Sequence, residues 1–359
     1  MNISKIKNSL FVLFTSIFFL FAFKSNDTVQ GKTFTITENN QHEELGKVKW
    51  ERDFEKGLAK SKVENKPVFL LFQEVPGCST CRNYGNNVLS HPQIVEAIET
   101  LFIPVAIFNN KKGKDAAVLK MYNEPSWNNP VVRIVDAEKK NIVNRVSGNY
   151  SALGIVHAMV FALQKEEKQI PMYLNLLKQS LEATVSGTET ATFSMYCFWT
   201  GEKKLGSVDG VLETQPGFMN GQEVVEVKYN PVLISYENLV EEAKQAKCAS
   251  HVYTENKNQI AVAQKVVGKN GASKKSKFRL DKEPKYYLSK SVYRYIPMTQ
   301  FQATKVNVKI GNSQSPDEYL SPRQLELLSF VKKNPKKKWK SAINVDLKKA
   351  WNKIEKVRT

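Results

Sequence analysis

Residues 67–81 read "PVFLLFQEVPGCSTC". The first six form a continuous apolar run rich in Phe, Leu and Val, the pattern of a strand buried on both faces. Pro76 and Gly77 then break the run, and a C-x-x-C pair heads a helical stretch. A strand that delivers two thiols to a helix N-terminus is a chemically favoured arrangement. The helix end stabilises thiolate at Cys78, and Cys81, one turn later, lies on the same side and can close a short disulfide. A static disulfide or half of a zinc site is the other reading of this spacing.

Working outward, "KWERDFEKGLAKSKVENK" (49–66) reads as an amphipathic helix ahead of the strand. Ser90 caps a second helix, "HPQIVEAIETLF", with its apolar face at helical spacing. "IPVAIF" (103–108) is another buried strand, and "NPVVRIVD" with "NIVNRVSG" forms a hairpin across a charged turn. Ser151 opens a helix running to about Lys165. The order α-β-α-β-α-β-β-α is that of an α/β layer fold. Beyond a connection containing Ser186 and Gly187, a second unit begins with the strand "TATFSM", which runs into Cys197 and a helix ending near Gly210. "GVLETQPGF" and "QEVVEVKYNP" read as strands, Ser235 caps "YENLVEEAKQAK", and 264–277 reads as a loop or insertion. Two C-terminal helices follow, the first started by Ser321 and Pro322.

The chain has 359 residues, enough for two or three domains. Its net charge of +18 comes from lysine, concentrated after residue 264. A solvated basic face, or contact with an anionic surface through the C-terminal region, accounts for that charge; no nucleic-acid motif accompanies it, so nucleic acid is not expected as a partner. Lys5 and Lys7 precede an apolar run from Leu10 to Phe23, too short for a comfortable membrane span. Residues 1–24 therefore read as a signal peptide or an uncleaved N-terminal anchor. The chain is expected to be exported, periplasmic or secreted, where disulfides persist. Four cysteines, Cys78, Cys81, Cys197 and Cys248, are too few for a disulfide-stapled scaffold. No histidine cluster joins them, so no metal is expected.

Residues 45–167 resemble the thioredoxin superfamily, the likeness being carried by "KPVFLLF", "PGCSTC" and "NNPVVRIVDAEKKNIVNRVSG". Pro130 stands where that family places a cis-proline facing its cysteine pair. The pair lacks the family's Trp-Cys-Gly-Pro-Cys wording, so its redox potential is not implied. Residues 188–359 resemble the A-type peptide methionine sulfoxide reductases, an α+β family with a ferredoxin-like core. "CFWTGE" (197–202) is similar to its Gly-Cys-Phe-Trp-Gly-x-Glu signature, and "QEVVEVKYNPVLISYENL", "LDKEPKYYL" and "IPMTQFQ" follow in the family's order. The resemblance implies Cys197 as nucleophile, Phe198 and Trp199 as walls of a pocket for the substrate methyl, and Glu223 as the acid. It also implies Asp281 and Tyr286 as groups that orient the sulfoxide oxygen, with Tyr287 a rival in register. Three things depart: Tyr196 puts a bulky ring where the family has glycine, the loop between Gly217 and Gly221 is short, and the later motif lacks its Gly, Arg and Ser.

The chemistry explains the residue types. A sulfoxide sulfur becomes electrophilic when its oxygen is protonated as the S–O bond breaks. A thiolate attacks, a carboxylic acid supplies the proton, and the cysteine becomes sulfenic acid. Aromatic walls exclude water and keep the acid protonated near neutrality. From pattern alone Glu223 is a solvent-facing strand carboxylate; the resemblance reverses that. Sulfenic acid then needs a second thiol, which is Cys248 within the second unit or Cys78 by domain closure. The expected protein is an exported peptide-methionine (S)-S-oxide reductase, its catalytic disulfide recycled by the fused thioredoxin-like module. Its partners are oxidised proteins and an external thiol reductant such as a membrane dithiol carrier. No flavin or nicotinamide motif is visible, so no cofactor is expected. One alternative is a thiol–disulfide oxidoreductase whose degenerate second domain only binds substrate proteins; another is a basic surface-binding protein with incidental redox domains.

Overall fold

The computed structural model describes residues 42–127 and 130–358. The expected signal or anchor (1–24) and the Asn129–Pro130 bond, with its expected cis geometry, lie outside the described residues. Pro130 itself is buried.

Strand β1 (Val68–Gln73) is buried at every position because it lies between two partners and under helices on both faces. Parallel β2 (Ile103–Phe108) flanks one edge and antiparallel β3 (Val131–Val135) the other, with β4 (Val146–Ser147) outside β3. Helix α1 (Phe54–Glu64) starts later than its sequence pattern, because Asp53 accepts the Lys56 amide and so fixes the cap. Gly57 lets α1 press on β2; a Cβ there would sit 2.4 Å from Val105 Cγ2. Helix α2 (Ser79–Asn87) follows the C-x-x-C loop, and α3 (Pro92–Leu101) follows directly. Ser90 is not its cap. Pro92 takes the first helical position, so His91 is the N-cap, while the Ser90 hydroxyl donates to Gly85 O at 2.8 Å. Helices α4 (Lys114–Met121) and α5 (Ala152–Lys165) complete the first layer, Ser151 capping α5 at the Gly154 amide.

Helix α6 (Met172–Ser186) fills the stretch whose composition suggested only a connection. Tyr173, Leu174 and Leu177 enter the first core, while Leu176 and Ala183 meet Leu212 and Phe301 of the second half. The link is thus a packed helix.

The second half is built as β5 (Glu189–Ser194), α7 (Phe198–Gly206), β6 (Val211–Met219), β7 (Gln222–Tyr229), α8 (Tyr236–Gln245) and β8 (His251–Thr254). These strands lie in the order β8-β5-β7-β6, all antiparallel, which is the ferredoxin-like βαββαβ arrangement. Segment 264–277 is more ordered than a loop: it holds the end of α9 (Lys257–Val267) and β9 (Ala272–Lys274), which pairs parallel to β8. Strand β10 (Arg279–Leu280) adds to the outer edge of β6. Helices α10 (Tyr286–Ser289), α11 (Gln300–Gly311), α12 (Pro322–Lys333) and α13 (Leu347–Arg358) pack around Leu288, Val306, Leu327 and Trp351. Thr299 and Ser321 each form a capping box, starting α11 and α12.

A buried polar network joins the halves. Gln93 on α3 donates to Gln302 Oε1 on α11 at 2.8 Å, Gln302 donates in turn to Gln324 Oε1 at 3.0 Å, and Glu96 accepts the Arg323 amide at 2.7 Å. Such a network, out of contact with water, ties elements rigidly. The described residues belong to one compact unit. None of their helices is long and apolar enough to cross a membrane.

Candidate active site

Cys78 is the N-cap of α2, with extended backbone (φ −72°, ψ 178°) and an exposed side chain, while Cys81 is fully buried. The loop is fastened from both sides: Gly77 N donates to Glu44 Oε1 at 2.8 Å, and Arg82 donates to Gly77 O at 2.7 Å. The two sulfurs are 3.7 Å apart and unbonded. Hydrogen bonds from the Cys81 backbone and thiol and from Thr80 hold the Cys78 thiol below its ordinary value. Burial, helped by the neighbouring Cys78, pushes Cys81 up to about 12. The pair is therefore asymmetric, with an outer attacking sulfur and an inner sulfur that stays a thiol until the outer one is engaged. A Glu74 carboxylate oxygen lies within 4.8 Å of both sulfurs. Two thiolates and a carboxylate are zinc-type donors, one short of four.

This asymmetry has a direct readout. With iodoacetamide at pH 7, Cys78 is expected to alkylate about tenfold or more faster than Cys81, the Cys81 rate rising only in strong base. Equal labelling of the two, followed by peptide mass spectrometry, would remove the assignment of Cys78 as the attacking sulfur.

In the second half, β5 ends at Ser194 and the chain turns through Met195 and Tyr196 into Cys197, the N-cap of α7. The neighbouring strand β7 carries Glu223, whose backbone extends the ladder by accepting the Met195 amide at 3.2 Å. Its carboxylate Oε2 accepts the Phe198 amide at 2.8 Å. That amide is one of the donors a helix start leaves without an intrahelical partner, so the helix end itself holds the acid beside Cys197. Glu223 Oε1 makes no hydrogen bond among the described residues.

The aromatic walls come from three elements. Phe198 is buried and meets Phe218 of β6 edge-on at 5.3 Å, and Trp199 stacks on Tyr286 at 3.9 Å with the rings 15° apart. The Trp199 indole Nε1 is buried without a partner. Tyr287, the register rival, turns elsewhere: it packs beside Gly311, and its ring lies under Lys203. Tyr196 is 99 % exposed, so the ring that replaces glycine projects into solvent and does not fill the pocket. Below the stack, Lys285 and Glu202 form a fully buried ion pair at 3.1 Å, and Glu202 Oε2 also accepts the Lys285 amide at 2.9 Å. Burial pushes the Glu202 carboxyl up against the opposing pull of Lys285. Lys285 has left-handed backbone (φ 56°, ψ 55°), and this bend starts α10 and carries Tyr286 onto Trp199.

No hydrogen bond or ion pair among the described residues links the Asp281 side chain to this group; its carboxylate accepts the Glu283 amide at 3.1 Å, as in a turn, and it lines a cleft with Lys282, Arg294 and Trp339. Cys248 follows α8 and is buried in the same apolar cluster as Met195 and Phe198. Burial raises its thiol, Lys204 pulls it down, and charge on Cys197 raises it further, which places the two sulfurs in one electrostatic neighbourhood. No hydrogen bond or ion pair among the described residues links Cys78 or Cys81 to Cys197 or Cys248. Phe218 and the pairing of Glu202 with Lys285 carry no signal of their own in the sequence, although Glu202 is the acid of "CFWTGE". Strand alternation places Phe218 and Pro216 on one face of β6, and the spacing of Glu202 from Cys197 puts it one helical turn and a step along α7.

Residues 49–137 match a family model described as thioredoxin-like. Elsewhere the chain is similar to curated peptide methionine sulfoxide reductases. It is 35 % identical over 74 residues to the peptide methionine sulfoxide reductase MsrA of Methanococcus maripaludis (strain C6), covering 16 % of this chain and 47 % of that protein. It is 32 % identical over 81 residues to MsrA 1 of Nostoc sp., covering 18 % and 50 %. It is 37 % identical over 65 residues to the peptide methionine sulfoxide reductase of Drosophila melanogaster, covering 14 % and 26 %. The chain spans about half the length, or less, of these relatives. A thioredoxin-like domain is therefore joined in one chain to a region similar to that family.

Proposed function

We propose that this chain reduces methionine sulfoxide in polypeptides at Cys197 and uses its thioredoxin-like dithiol to return the resulting disulfide to thiols. The observation that carries the reading is the Glu223 carboxylate, held 2.8 Å from the first amide of the helix that Cys197 caps, with Trp199 and Tyr286 stacked alongside. A thiol at a helix start, a carboxylic acid with one oxygen uncommitted, and two aromatic faces for a methyl group are what sulfoxide reduction requires. Cys197 Sγ attacks the sulfoxide sulfur while Glu223 gives its proton to the oxygen, and the S–O bond breaks. The oxygen leaves as hydroxide, which then attacks Cys197 Sγ and expels the sulfide, leaving Cys197 sulfenic acid. A second thiol displaces water from that sulfur and forms a disulfide. Cys248 fits this role better than Cys78, because it shares the apolar cluster beneath Cys197. Its burial means that the loop after α8 must open for the bond to form. The disulfide then passes to Cys78 and Cys81, by attack of the exposed Cys78 thiolate and resolution by Cys81. The S epimer, the export of the chain and a thiol donor outside it belong to the same proposal, supported by the family resemblance and by the basic, apolar N-terminal run.

Single turnover of pre-reduced protein with each epimer of N-acetylmethionine sulfoxide amide tests it. The expected result in Cys78→Ser/Cys81→Ser, where onward transfer is blocked, is one sulfide and one disulfide per chain with the S epimer, mapped to Cys197–Cys248, and in Cys248→Ser an accumulated sulfenic acid. Failure to reduce either epimer overturns the reading. A disulfide that still forms in Cys248→Ser transfers the resolving role to Cys78.

A further inference from the structure

A cleft of about 580 Å³ is lined on one side by residues 280–284 with Ser289, Lys290 and Arg294, and on the other by Trp339, Ser341 and Asn344. Its connection to the site runs through Lys290, which lines the cleft and places Nζ 5.4 Å from the centre of the Tyr286 ring, the ring that stacks on Trp199. The far wall is rigid. Trp339 donates from its indole to Asn334 O at 2.9 Å and meets Phe330 edge-on, and the Ala342 amide donates to Arg294 O at 2.8 Å.

The charges around the cleft are unequal in what they are doing. Glu283 is paired with Lys290 at 2.9 Å, and Asp281 closes a turn. Arg294 donates only to Ser289 O and the Tyr295 hydroxyl, neither of them an acid. Lys282, which lines the cleft, is exposed and has no acidic partner among the described residues. An aromatic wall at Trp339 facing two cations, Lys282 and Arg294, that hold no acid suits a chain that brings its own carboxylates.

We infer that this cleft holds the part of an acidic polypeptide that flanks the oxidised methionine, so that the protein selects sulfoxides set among Asp and Glu residues. The inference rests on the reductase reading, since the cleft adjoins the pocket through Tyr286. Free methionine sulfoxide is too short to reach it.

The test compares KM for two hexapeptides, one with glutamates and one with glutamines around the sulfoxide, each referred to N-acetylmethionine sulfoxide amide. The glutamate peptide is expected to show a KM about tenfold lower than the glutamine peptide at low salt, the difference vanishing near 1 M salt. In Lys282→Glu the preference is expected to disappear or reverse. Titration of both proteins with the same glutamate peptide, labelled and already in the sulfide form, reads binding without turnover and should show the same loss. Equal KM values and equal binding for the two peptides overturn the inference while leaving the reductase reading intact. No turnover of the small amide, with peptide binding preserved, does the reverse. Loss of binding to phosphatidylglycerol vesicles in the variant, with peptide binding unchanged, would assign this lysine to a lipid surface and also overturn it.

Discussion

Glu223→Gln is expected to lower kcat for sulfoxide reduction by about 10²–10⁴-fold with little change in KM, the range spanned by loss of a positioned general acid. The argument is geometric. A glutamine side-chain oxygen can still accept the Phe198 amide, the bond that holds Glu223 at 2.8 Å, so the helix start and the pocket survive the change. What disappears is the transferable proton on the carboxyl. Cys197→Ser removes the nucleophile and should abolish turnover, so the two variants separate attack from proton supply. In Glu223→Gln, Cys197 still reacts with iodoacetamide, and a burst of sulfenic acid no longer appears on mixing with sulfoxide. Stopped-flow single turnovers with a sulfenic-acid probe measure this. A Glu223→Gln variant within threefold of the native kcat would show that another group, or water, supplies the proton.

The sequence revealed the first fold because a central strand has an unambiguous pattern. "VFLLFQ" is apolar throughout since β1 is covered on both faces, and the turn residues after it point straight to Cys78. The ferredoxin-like half was legible through the family resemblance; of its elements, pattern marked β5, β6, β7 and the Ser235-capped helix but not the short β8 (His251–Thr254) that completes the sheet. Pattern failed at α6, whose two faces serve two different cores, so that no single apolar stripe marks it. It failed again at Ser90, where a proline one step later in the chain decides the cap. For the site, the resemblance named Cys197, Glu223, Trp199 and Tyr286, and the fold sets Glu223 against the start of the helix that Cys197 caps and Tyr286 against Trp199. Asp281 keeps its spacing from Tyr286, but its carboxylate accepts the Glu283 amide, since spacing along a chain does not specify the direction of a side chain. Glu202 stands in the matched signature, but its pairing with Lys285, 83 residues later, has no mark in the sequence: two charged residues that far apart look like surface until the fold buries them.

That pair carries the largest stability effect expected in the second half. Lys285→Met leaves the Glu202 carboxylate fully buried, with the residue 285 amide at 2.9 Å and the Thr214 hydroxyl at 3.3 Å as neutral hydrogen-bond donors. Removing one partner of such a pair costs about 3–5 kcal/mol, since the remaining charge must stay uncompensated or take up a proton. The double variant Glu202→Gln/Lys285→Met removes both charges, and a buried pair replaced by neutral groups is often close to neutral in stability. The urea midpoint should therefore fall sharply in Lys285→Met and recover most of the way in the double variant, giving a coupling that additive single effects cannot produce. Activity reports on the same bond by another route. Lys285 begins the bend that sets Tyr286 on Trp199, so a properly folded Lys285→Gln variant, which keeps a side-chain donor, should lose less stability and retain more of kcat/KM than Lys285→Met. A midpoint in Lys285→Met within 1 kcal/mol of native, by the conversion that the measured urea slope provides, would mean that water reaches Glu202 and that the pair does not hold the pocket.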